Sequence, residues 1–529
     1  MTDLQFDWST PSRMVDTRAL PLISNETYLY IFDFLELSSE TALVGCKKHW
    51  CKLACVCRLF YAHFVGKIYE ELVFDAREGS AGPLEDITPK SDTRLSEDGG
   101  QGLFSRSTLL RSRVQTCTFR NWQDLDSHGW LRRPLQDLLG LCRTGITRMA
   151  NLSTLRLEFT SINEKLVSAL LLCNQLTHLE IDRSSFDTGE CMVQLATKTH
   201  TALLLGQLPI THIRVLSTPA PPEVATLFWA AMSQWKHLTH FHAANAFLDI
   251  SNLLATPTRH QLRTVILTHI NDPKGFANFL ESCTQLERLE VTSHSQDFKS
   301  DFRLSSSAVP HLAHLHSTSS IARALARGRS ITHLHLCIIG SPETQSTDDE
   351  PLDSQSSGPF LESHSSRRSV QFLEGAHSLQ SLRLSYDSYI ECGVKSMVFP
   401  ALVDLTLDLN AELSAYPTSS ADIPDSDATP LQRPLFSLIR AFIDEQLPSS
   451  HNQLRSLVFH LRPTVRLPLG IKRYIRNQRS MVSTLHSGPF PALVDASLEG
   501  TVRLSWLPER KVWVSGNQAS WAYSKSKAW

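Results

Sequence analysis

The sequence is short of several things, and each shortage removes a class of protein. No apolar run approaches the roughly 18 residues that span a bilayer, and the opening MTDLQFDWSTPSRMVD has no basic stretch followed by an apolar one. No membrane partner is expected, and a cytoplasmic or nuclear address follows. Charge of one sign is also lacking, because 51 Lys and Arg face 53 Asp and Glu for a formal net charge of -2. Without a basic field there is nothing to hold a nucleic-acid backbone, so no nucleic acid is expected. Glycine-rich phosphate loops, H-E-x-x-H and G-x-S-x-G are missing, which argues against an enzyme: no catalytic residue and no cofactor are assigned. Cysteine is sparse, eleven in 529 residues, and too dispersed for a disulfide framework. These read as reduced thiols, mostly buried.

Leucine is abundant, and its spacing repeats. The pattern apolar-x-x-apolar-x-apolar occurs as LSTLRL (from Leu152), LTHLEI (Leu176), ITHIRV (Ile210), LTHFHA (Leu238), LRTVIL (Leu262) and LERLEV (Leu286). It continues as LAHLHS (Leu312), ITHLHL (Ile331), LQSLRL (Leu379), LVDLTL (Leu402), LRSLVF (Leu454) and LVDASL (Leu493), with VQTCTF from Val114 as a possible starting copy. Most intervals fall near the roughly 20 to 29 residues of a leucine-rich repeat. Each copy predicts a short parallel strand whose first, fourth and sixth positions point into a core while the third and fifth face outward. With strands ~4.8 Å apart, such a sheet extends about 60 Å and suits a protein-sized partner. Crossovers such as EKLVSALLLC, EVATLFWAAM and KGFANFLESC carry apolar residues at helical spacing. The expected class is therefore α/β: a small N-terminal helical module followed by an irregular leucine-rich-repeat solenoid.

Composition divides the chain into a flexible tail (1–19), a helical module (20–75), a linker (76–110), the solenoid (111–510) and a C-terminal tail (511–529). Ser-, Asp- and Pro-rich insertions near 341–369 and 411–430 cannot bury enough surface to order themselves. Tryptophans near the C-terminus, at 506, 513, 521 and 529, are expected to cap the last repeat.

In the N-terminal module, CKKHWCKLACVC places four cysteines and His49 within twelve positions. The spacing matches no zinc knuckle, so no metal is assigned. The stretch from Lys52 reads as one amphipathic helix with Leu53, Val56, Phe60 and Phe64 on a stripe. NETYLYIFDFL, then ACVCRLFYAHF about twenty residues on, resembles the F-box: Glu26, Ile31, Phe32 and Leu35 match its first element, and Val56, Cys57, Arg58 and Phe60 match its V-C-R-x-F element. The resemblance implies a substrate-recognition subunit of an SCF ubiquitin ligase. In such a protein the box docks on a Skp-type adaptor of the cullin complex, the repeats hold a protein substrate, and the chain itself catalyses nothing. It further implies that Ile31, Phe32, Leu35, Val56, Cys57, Leu59 and Phe60 supply the adaptor contact or the packing behind it. A repeat scaffold with no ligase role is the alternative.

For the substrate face, outward positions three and five nominate His178, Glu180, His212, Arg214, His240, His242, His314, His316, His333, His335 and Arg383. Eight are histidines, whose charge changes near neutral pH, although Thr-His is also simply a polar pair that suits an exposed strand.

Overall fold

The computed structural model describes residues 14–15, 18–19, 27, 30, 50–56, 58–76, 112–123, 146–147, 149–244, 260–268, 270, 272–292, 302, 304–305, 307–326, 328–337, 370–391, 393–409, 453–461, 479–480, 482–487, 490–498 and 503–515. The chain divides into two compact units, which meet in sequence between Leu238 and Thr239.

The first unit holds helix α1 (Arg58–Glu70) and parallel strands β1 (Glu71–Asp75), β2 (Thr116–Trp122), β3 (Thr154–Ile162), β4 (His178–Asp182) and β5 (His212–Leu216). The second unit holds β6 (His240–Ala244), β7 (Thr264–Leu267), β8 (Arg288–Val291), β9 (His314–Thr318), β10 (His333–Cys337), β11 (Ser381–Ser385), β12 (Asp404–Leu409), β13 (Ser456–Leu461) and β14 (Asp495–Leu498). These nine pair in parallel with one another in chain order. Each unit is thus mixed α/β around a mostly parallel sheet, consistent with a leucine-rich-repeat array. Every copy of the pattern forms a strand that starts at its third position.

A recurrent hydrogen-bond clamp fixes the register. The carbonyl of position two, just ahead of one strand, accepts the backbone N–H groups of positions two and three of the next copy: Ser153 O takes Thr177 and His178, Ala313 O takes Thr332 and His333, and Thr332 O takes Gln380 and Ser381, all at 2.8–3.0 Å. One oxygen with two lone pairs satisfies two donors at each step. With register set, alternation sends positions four and six inward, as at Leu155 and Leu157 or Leu405 and Leu407, each fully buried. Position one is also buried, from Leu176 to Leu454. In the two imperfect copies, position six is Ala243 or Ser317, and each remains in the core.

The three predicted crossover helices form as α2 (Glu164–Leu170), α5 (Pro222–Met232) and α6 (Pro273–Ser282), beside α3 (Glu190–Thr197), α4 (Thr199–Gly206), α7 (Ser319–Ala326) and α8 (Tyr386–Glu391). Asn163 caps α2 by accepting the Leu166 N–H at 3.1 Å, and Asp272 caps α6 by accepting the Lys274 N–H at 3.0 Å. Val224, Leu227, Phe228 and Ala231 of α5 are buried, as the i, i+3, i+4, i+7 spacing requires.

Three expectations change. The stretch from Lys52 is not one helix, since i+3 bonds from Cys55 to Lys52 and from Val56 to Leu53 turn the chain ahead of α1. Val56 therefore leaves the stripe. The boundary at 75 also moves: Glu71–Asp75 is a strand, because alternating Leu72 and Phe74 pair with Cys117 and Phe119 of β2. Likewise the tail from 511 begins inside a hairpin, β15 (Arg503–Leu507) and β16 (Val512–Ser515), which continues from β14 in antiparallel fashion. Trp506 and Trp513 face each other across it at 5.5 Å, whereas 521 and 529, like both insertions, lie outside the described residues.

This register makes neighbouring residues of one strand energetically unequal. Leu405→Ala is expected to cost about 3 kcal/mol in denaturant unfolding, and Thr406→Ala under about 0.5 kcal/mol, because only the first opens a core cavity.

Candidate functional site

Outward positions become columns once the register is fixed. In the first unit, position five sets Arg156, Glu180 and Arg214 side by side, with Glu180 between the two guanidiniums at 3.4 and 3.7 Å. Glu71 of β1 adds a second carboxylate, 3.7 Å from Arg156. In the position-three column, His178 and His212 stack with centroids 4.0 Å apart. Burial lowers the His178 pKa, with the nearby Arg156 charge adding to it against the pull of Glu180, so this ring stays neutral at pH 7.

The Thr-His pairs have a structural purpose. Thr177 Oγ1 donates to Ser153 O (3.1 Å), Thr211 to Thr177 O (3.2 Å) and Thr332 to Ala313 O (3.1 Å). Each hydroxyl has one hydrogen, so its contact with the next residue's Nδ1, at 2.8, 2.8 and 2.9 Å, must be a bond it accepts. That assigns Nδ1–H to His178, His212 and His333 and leaves Nε2 as the lone-pair nitrogen when the ring is neutral. Thr239 makes the same contact with His240 at 2.9 Å.

The densest cluster is in the second unit, on β8 to β13. His314 stacks on His333 at 4.1 Å and His316 on His335 at 3.7 Å, each pair in direct register. These four rings, with Arg288, Glu290, Ser381, Arg383 and Thr406, line a cavity of about 270 Å³. Carboxylates hold its two sides. Arg288 donates to Glu290, while Arg383 donates to both oxygens of Asp408 at 2.9–3.1 Å. Glu290 faces His316 Nδ1 at 3.6 Å, and Asp408 faces His335 Nε2 at 3.6 Å and His460 Nδ1 at 3.3 Å.

The stacked rings titrate apart. Burial opposes charge on His316, but its contacts with Cys337 and Glu290 outweigh that and raise its pKa to about 9. Burial lowers His335, and the His316 and Arg383 charges reinforce this against Asp408. His314 is lowered by burial, then by His333 and Arg288. Glu290 falls to about 2, chiefly through His316; Asp408 also falls to about 2, because His335 and Arg383 overcome the effect of its burial. At neutral pH the tightest stack therefore pairs one imidazolium with one neutral imidazole.

Of the outward residues nominated from sequence, His178, Glu180, His212 and Arg214 cluster in the first unit, while His314, His316, His333, His335 and Arg383 share the cavity. His240 and His242 lie on β6 of the second unit and do not line it. Periodicity reading missed Cys337, Asp408 and His460 because they occupy position seven, one step beyond the template. The period of two, extended by one pair, would have found them.

In the N-terminal module, Ile31, Phe32, Leu35 and Cys57 lie outside the described residues, as does the side chain of Leu59. Val56 and Phe60 separate: Phe60 packs on buried Phe64 with Trp50, Leu53, Ala54 and Ile68, whereas Val56 is 64% exposed. Cys51 and Cys55 are exposed. Of the seven described cysteines only Cys117, Cys173 and Cys283 are buried, fewer than expected. Among the described residues no group of three or more His, Cys, Asp or Glu is arranged to hold a metal, and no helix is long and apolar enough to cross a membrane.

No family model matches the sequence, and no curated protein matches it. Among solved structures, an internalin from Listeria monocytogenes is similar at 14% identity and a TM-score of 0.25, over 50% of this chain and 76% of that one.

The pH dependence follows from these directions. His316, raised on folding, stabilises fully below its unfolded value of about 6.5, and that contribution fades as pH rises through about 9. His314 and His335, lowered on folding, favour the fold above about 6.5 and oppose it as pH falls. In ring-labelled protein followed by NMR, His316 is expected to titrate near pH 9 and His335 below 6.5. Replacing His316→Gln should move the His335 midpoint upward, because the depressing charge is gone.

Proposed function

We propose that this chain is a protein-recognition receptor, with the N-terminal module docking on a Skp-type adaptor of a cullin-based SCF ubiquitin ligase and the outward columns holding a protein substrate. The observation that carries the recognition role is the in-register face of charged and imidazole side chains on five consecutive strands, β8 to β12. Its ion pairs run along the surface, so a partner's charges would exchange with pairs already formed and specificity would follow charge order more than total charge.

The adaptor role is supported by the Val56–Phe60 segment, which resembles the V-C-R-x-F element. Phe60 is turned to the module's interior, while Val56 and Tyr61 stay 64% and 47% exposed, apolar surface of the kind a docking helix bundle covers. On this reading the protein catalyses nothing itself and acts by holding a substrate lysine near the charged ubiquitin carrier, in the cytoplasm or nucleus.

Co-purification of the full chain with the Skp-type adaptor tests it. Wild type is expected to retain the adaptor, and the Ile31→Ala, Phe32→Ala double variant to lose it. Val56→Asp should weaken retention about tenfold or more without unfolding the module, since Val56 is already exposed. A folded wild-type chain that fails to bind would leave a repeat scaffold with no ligase role.

A further inference from the structure

Cys337 ends β10 on the outward face, and its Sγ lies 2.9 Å from His316 Nε2 on the preceding strand. The other ring nitrogen of His316 faces Glu290, one strand further back. We propose that Cys337 is a reactive thiol, with His316 as its base and Glu290 as the positioning residue, and that it is this protein's site of reversible modification by low-molecular-weight disulfides. The proposal does not rest on the ligase reading.

The geometry is that of a nucleophile, a base and an orienting carboxylate within contact reach. Glu290 is ionised, held so by His316 and Arg288, and can only accept. It therefore favours the hydrogen on Nδ1 of His316 and aims Nε2 at the sulfur, so that the imidazolium holds its second proton, the one the sulfur gives up, against Cys337. His335, stacked at 3.7 Å and nearly parallel, fixes the plane of the ring. His316 is also an unusually strong base, which suits it to hold the proton that the sulfur sheds. The titratable and charged groups around it are Glu290 and Arg288 on β8, His314 on its own strand, and His335 and Cys337 on β10. The 270 Å³ cavity, which His316 lines, offers a reagent room beside the ring.

The reaction balances without a further oxidant. With its proton already held on His316 as an imidazolium–thiolate pair, Sγ forms a new S–S bond to one sulfur of the reagent. The reagent's own S–S bond breaks, and the departing thiolate takes the proton from His316.

Other cysteines supply internal references. Cys51, Cys55 and Cys191 are more exposed than Cys337, while Cys173 is buried and its thiol is pushed up to about 12 by that burial. The full-length protein would be treated briefly with limiting iodoacetamide at pH 7, and each cysteine peptide quantified by mass spectrometry. Cys337 is expected to react about tenfold or more faster than Cys51, Cys55 and Cys191 despite its lower exposure. His316→Gln should slow Cys337 about tenfold and leave those three unchanged. Glu290→Gln should slow it a few-fold, with Glu290→Asp restoring part of the rate. Oxidised glutathione should form its first mixed disulfide at Cys337. If Cys337 reacts no faster than the exposed cysteines, the proposal falls. It falls equally if His316→Gln leaves the Cys337 rate intact while Cys117, Cys173 and Cys283 remain protected. Should that variant expose the buried cysteines, the wild-type ranking decides.

Discussion

The carbonyl at position two, shared by two N–H groups of the following strand, is the interaction on which the rest of each sheet depends. It repeats from Gln115 to Thr177 in the first unit and from Thr239 to Arg455 in the second, at 2.7–3.1 Å, and it leaves each new strand one register in which to start. A slip of one residue would carry a row of leucines to solvent and a row of arginines and histidines into the core, so hydrogen bonding and burial select the same register. Core and face follow from that coincidence.

The same clamp explains why very unequal crossovers are tolerated. Cys337 and Ser381 are separated by a long insertion, whereas Thr318 and His333 are joined through the single short helix α7, yet β9, β10 and β11 remain in register. The entropy of closing a loop grows only logarithmically with its length, while the ladder bonds and buried leucines gained at its end do not depend on length. Sequence can therefore accumulate between strands without disturbing the surface that the strands present.

That surface is polar and largely self-neutralising. Arg156 and Arg214 share Glu180 in one unit; in the other, Arg288 is held by Glu290, and Arg383 by Asp408. Strands ~4.8 Å apart bring like columns too close for unpaired charge, and the histidines resolve the same crowding by stacking with at most one charge per pair. Pre-formed pairs hold side chains in place before any partner arrives, which lowers the ordering cost of binding. In the N-terminal module, Phe60 packs against Phe64 while Val56 stays exposed.

The sequence by itself determined where the strands begin, because L-x-x-L-x-L encodes a period of two and the core-facing residues at each copy, and it marked the Thr-His pairs and the crossover helices. It could not determine which outward residues meet. Partners such as His335 and Asp408, or Arg383 and Asp408, are separated by long and variable crossovers, and only pairing of β10, β11 and β12 brings them together. The template also stopped one position short of Cys337, whose neighbour His316 is fixed by the offset between two strands. The strand Glu71–Asp75 escaped a search led by leucine because Tyr69 stands in the first position, although YEELVF keeps the apolar spacing, and its pairing with β2 places it in the sheet. Periodicity is a local property that the chain carries with it; contact between strands is a property of register, which exists only after the sheet has formed.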